Sequence, residues 1–123
     1  MVEERAPACL DAAAEAWLAH YDDDEQRLAA VERLAGYGVL SNRNLEAIIG
    51  LSWFMVAKVS TKRDHTGGRL APHTLPLMIR LREDWATGVR NARLCRTIIA
   101  EGTSRGMVAR LTGIPIKAVE KMS

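Results

Sequence analysis

The stretch that decides the fold is the last twenty residues, Ser104-Arg105-Gly106-Met107-Val108-Ala109-Arg110-Leu111-Thr112-Gly113-Ile114-Pro115-Ile116-Lys117-Ala118-Val119-Glu120-Lys121-Met122-Ser123. Two short helical patterns flank Gly113. Ser104 suits the N-cap of the first, because its hydroxyl accepts from a backbone N–H that the first turn leaves unpaired. Val108 and Leu111 fall on one face, three apart. Gly113 suits a left-handed turn that stops this helix. Pro115 fits the first turn of the second helix, where its missing N–H costs nothing. Val119 should point back into the core. A small residue (Ala109), a turn glycine four positions later and a buried aliphatic six beyond that is the spacing that lets two helices cross steeply at close range.

Sliding the chain against itself by 63 positions places Gly50 on Gly113, Ser41 on Ser104, Leu45 on Val108, Leu51 on Ile114, Val56 on Val119 and Lys58 on Lys121. Further upstream Arg27 falls on Arg90, Ala29 on Ala92, Val31 on Leu94 and Arg33 on Arg96. A self-match that includes the cap, the turn glycine and the core positions reads as an internal repeat. The expected organisation is two related halves, 1–63 and 64–123, each ending in such a helix pair (about 42–59 and 104–122), or one compact unit made from both. The first copy departs from the second. Glu46 occupies the small-residue position, with Ala47 displaced by one, and its second helix opens with Trp53 and Phe54.

Composition bounds the rest. The chain has 123 residues, 48% of them hydrophobic, and only six aromatics (three Trp, two Tyr, one Phe) among many alanines and leucines. That mixture favours helix over sheet. No apolar run is long enough to span a membrane, and the acidic N-terminus does not read as a secretory signal. Cys9 and Cys95 stand far apart without metal-ligand spacing, which suits reduced thiols in the cytoplasm. His20, His65 and His73 are scattered, and no zinc site is expected of them. The triplet Asp22-Asp23-Asp24 lacks the alternating oxygen ligands and distal Glu of a calcium loop and reads as a helix cap. No cofactor motif and no enzymatic constellation stands out.

Charge is uneven. Residues 1–40 carry three arginines against nine acids, net −6, and residues 41–123 carry 14 bases against six acids, net +8. A basic body under an acidic head suits contact with a polyanion.

Along the chain the periodicity predicts an all-α fold of about eight short helices. The first opens at Pro7 and runs to His20, with Leu10, Ala14, Trp17, Leu18 and Tyr21 inward. A second spans Glu25 to Ala35 with Leu28, Val31 and Leu34 buried. Asn42–Ile49 and 52–59 form the first helix pair. Asp64 to Arg69, with its two glycines, is a basic connecting loop. Thr74 caps a helix to Ala86, and Val89 to Ala100 follows, with Arg90, Arg93 and Arg96 along one side.

The Gly113-hinged pair resembles the helix-turn-helix of phage and bacterial DNA-binding proteins, over about twenty residues, and the composition is compatible with the small regulators of phages and actinobacteria. The resemblance implies binding to double-stranded DNA, with the second helix in the major groove. It places Ile116, Lys117, Glu120 and Lys121 on base edges: Lys117 toward guanine, Glu120 toward cytosine N4, Ile116 on a thymine methyl. Arg43, Asn44, Ser104 and Arg105 then meet phosphates at helix starts, joined by Lys58, Lys62, Arg63 and Arg69. Two other readings stay open. One is a phage terminase small subunit, which marks packaging sites with similar motifs. The other is an interaction module in which Trp53 and Phe54 anchor a host protein or a second copy.

Overall fold

A computed structural model describes residues 2–51, 55–56 and 68–123 of the chain. Among these residues there are seven α-helices and no strand. They are α1 (Val2–Ala19), α2 (Asp24–Ala35), α3 (Asn42–Ile49), α4 (Leu75–Ala86), α5 (Ala92–Ala100), α6 (Arg105–Thr112) and α7 (Ile116–Met122), with a 3-10 turn, Pro72–Thr74, leading into α4. None of them is long and apolar enough to cross a membrane.

The core is one cluster drawn from both halves of the sequence. Leu10, Ala13, Val31, Leu34 and Leu45 meet Leu75, Met78, Ile98, Met107, Leu111 and Val119 in it. Helix α1 ties the halves together, since it packs against α3, α4 and α6. Arg82 of α4 fastens the same helix by donating to the Pro7 carbonyl at 2.9 Å and to Asp11 at 2.5 Å. From α6, Arg110 reaches the Val39 carbonyl at 3.4 Å, a second link between the halves.

Local chemistry explains most element ends. Asp23 caps α2 by accepting from the Glu25 amide at 2.8 Å. Asn91 caps α5 by accepting from the Leu94 amide at 3.1 Å. Ser41 and Ser104 cap α3 and α6, each accepting at 3.2 Å from the amide three residues on. Gly50 and Gly113 close those two helices at φ 85° and 79°, a left-handed backbone that side chains resist. The 63-residue offset therefore maps α3 onto α6 from first residue to last.

Several expectations need correction. Helix α1 begins at Val2, so Pro7 lies inside it rather than opening it. Leu18 is 60% exposed and faces solvent, although the helical spacing put it inward. Thr74 does not cap α4 through its side chain. Its hydroxyl donates to the nearby Ala71 carbonyl (2.7 Å) and bonds the Thr103 hydroxyl (2.6 Å), a partner supplied by tertiary packing. Helix α5 starts at Ala92, not Val89, and Arg90 instead lies over the Trp85 ring, 3.7 Å from its centroid. Pro115 precedes α7 instead of joining its first turn. The upstream part of the repeat also fails in detail. Val31 and Leu34 are buried in α2, but in α5 the buried pair is Cys95 and Ile98, one residue beyond the matched Leu94 and Thr97. That match followed composition, whereas the match at the turns follows geometry.

Candidate nucleic-acid interface

The site is built from the turn outward. At the end of α6 the Thr112 hydroxyl donates to the Val108 carbonyl (2.5 Å) and accepts from the Ile114 amide (3.2 Å), which stiffens the exit. Gly113 reverses the chain, and Ile114, 1% exposed, anchors the turn in the core. The Pro115 carbonyl then accepts from the Ala118 and Val119 amides at 2.9 and 3.1 Å, launching α7. Val119 and Met122 are the buried face of α7. By helical periodicity the other face is thereby fixed. Ile116, Lys117, Glu120 and Lys121 are all exposed on it, Ile116 to 44%.

Among the described residues neither Lys117 nor Lys121 has an ion-pair partner. An unpaired, solvated ammonium is available to an incoming anion without first breaking an internal contact. Arg105 sits beside this face. Its Nε donates to the Ser123 hydroxyl at 2.8 Å, and that hydroxyl donates to the Glu120 carbonyl at 3.1 Å, so the start of α6 is latched to the end of α7. Arg69 is exposed too, and its carbonyl accepts from the Ser104 amide at 2.9 Å. Between Arg69 and Arg105 lies an open cleft of about 290 Å³ over Gly102, Thr103 and Ser104. The Ser104 hydroxyl is committed to capping and half-buried, so it holds α6 in place more than it offers a donor.

A further basic residue belongs here. Burial pushes the Cys95 thiol above its ordinary value, while Arg105 and then Arg96 pull it back. Arg96 and Arg93 are exposed on α5. Their three-residue spacing is the sequence signal, and α5 packs against α7. Both cysteines are buried, and neither is in a disulfide.

The described part of the first copy, α3 and its hinge, differs from α6 in what it buries. Arg43 is exposed as expected. Asn44 is 4% exposed and Asn42 likewise 4%, so neither presents its side chain to a phosphate. The first turn of α3 faces the core, and Asn44 occupies the position that Met107 holds in α6. Among the described residues its Nδ2 has no hydrogen-bond partner. Trp53, Phe54, Lys58, Lys62 and Arg63 lie outside the described residues. Comparison with known proteins gives no match, whether to family models, to curated proteins or to solved structures.

Proposed function

We propose that the chain binds double-stranded DNA sequence-specifically, as a small transcription regulator of the phage or bacterial kind, with α7 as its reading helix. The observation that carries this reading is the outward face of α7, where Lys117 and Lys121 stand unpaired beside exposed Ile116 and Glu120. Seven residues make a helix about 10 Å long, which fits a major groove about 12 Å wide. Arg105, tied to Ser123 at the end of α7, and the exposed Arg69, Arg93 and Arg96 supply phosphate contacts, which orient a protein on the duplex without reading sequence. Lys117 donates to a guanine edge, Glu120 accepts from cytosine N4, and Ile116 packs on a thymine methyl.

The test is affinity for duplex DNA across a salt series. With about five to seven phosphate contacts, log K should fall against log salt with a slope of roughly −5 to −6. A nearly flat series removes the DNA reading. Selecting bound duplexes from a random pool then gives the target. Recovery of no preferred sequence, with the slope intact, leaves only a general DNA-binding role.

A further inference from the structure

The end of α1, in the acidic part of the sequence, and the end of α3 enclose an open cleft of about 290 Å³. Trp17, His20, Tyr21, Asp22 and Arg27 line it together with the last turn of α3 and Gly50. It is remote in composition from the basic α7 face and plays no part in DNA binding as proposed above.

The chemistry of the lining is directional. Trp17 is half-buried, and its ring meets His20 edge-on, with centroids 5.6 Å apart and planes at 62°. His20 ends α1 with a left-handed φ of 48°, and the chain turns there to bring Tyr21 and Asp22 to the same cleft. Arg27 is already committed: its Nε donates to the Tyr21 carbonyl at 2.8 Å and its Nη1 to Asp24 at 3.0 Å. Asp24 thus balances the Arg27 charge. Asp22 is exposed and has no ion-pair partner among the described residues. The C-terminal turn of α3 adds the negative end of its dipole. Aromatic faces, an uncommitted carboxylate and a helix C-terminus share one preference, which is for positive charge.

We propose that this cleft binds a guanidinium or primary ammonium group, stacked against Trp17 and Tyr21 and paired with Asp22. The group is carried either by a small organic cation or by an arginine or lysine of a second copy of the chain, whose basic half is complementary to this acidic one.

The full chain, labelled with ¹⁵N, is titrated with arginine amide, butylammonium and, as an anionic aromatic control, benzoate. Both cations should give saturable shifts of the Trp17 indole N–H and of the Ala47–Gly50 amides, with dissociation constants of about 1–10 mM, as expected of a few exposed contacts. Asp22→Asn, a change at an exposed loop position, should weaken binding about three- to tenfold, and Trp17→Phe should weaken it less than Trp17→Leu. Absence of saturable shifts up to about 50 mM, a site-specific affinity for benzoate as strong as for the cations, or indifference to Asp22→Asn overturns the proposal. Sedimentation in the same buffers separates the sources. Self-association dissolved by arginine amide and by Asp22→Asn assigns the cation to a second copy. A monomer that still binds the probe assigns it to a free cation. DNA affinity of Asp22→Asn is measured in parallel and is expected to be unchanged, which keeps failure here separate from failure of the DNA reading.

Discussion

The two glycine-hinged turns share a backbone and differ in what they bury. Helices α3 and α6 have eight residues each, a serine cap and a left-handed glycine. Inside α6 the cap-proximal core position is Met107, fully buried among hydrocarbon. Inside α3 it is Asn44, almost as buried, with an amide that donates to nothing. Outside, Arg110 and Arg105 of α6 correspond to Ala47 and Asn42 of α3 by the 63-residue offset. The backbone of such a turn is therefore fixed by a few positions, the cap, the hinge and the aliphatic face. Its electrostatic character is set by the remainder: among the described residues the second copy exposes Arg105, Arg110, Lys117 and Lys121, and the first exposes Arg43.

Substitutions that exchange the two interiors break or sharpen this comparison. Met107→Asn gives α6 the interior of α3. It removes a fully buried side chain and strands an amide, and should cost about 3 kcal/mol in chemical denaturation. A loss under about 1 kcal/mol would mean that the α6 interior readily accommodates an amide and that the two sites do not differ as described. The hinges come next. Gly50→Ala and Gly113→Ala should each cost about 1–2 kcal/mol, because both sit at positive φ. Among the described residues an added Cβ meets nothing within 4 Å at Gly50 and only Pro7 Cγ at 3.8 Å at Gly113, so strain and not collision sets the cost, and the two losses should agree. Clearly unequal losses would show that the hinges are not equivalent. The smallest effect is Asn44→Met, which gives α3 the interior of α6 and should stabilise by about 1 kcal/mol through removal of an unpaired buried amide. Destabilisation would show that the amide has a role that an apolar side chain cannot replace.

What could be read from the sequence follows the same division. The bounds of α3 and α6, their caps and their hinges were legible because each depends on residues within four positions of one another. The outward face of α7 was legible because Val119 fixes the inward one. Features that depend on distant partners were not. Thr74 reads as a cap until Thr103, 29 residues away, claims its hydroxyl. Leu18 has the right spacing to be buried, but among the described residues it is 60% exposed. Asn44 at the start of a helix reads as a phosphate contact, and only the packing of α1 and α2 against α3 makes it interior. The bond from Arg105 to Ser123 crosses from one helix to another and leaves no trace in either helix alone.

The most direct test of the account is the affinity of Lys117→Ala for a selected duplex and for random duplex at one salt concentration. The account predicts a loss of about 1–3 kcal/mol on the selected duplex and a much smaller loss on random DNA, because the lysine reads a base. Equal losses on both would reduce Lys117 to a phosphate contact, and no loss on either would contradict the placement of α7 in the groove.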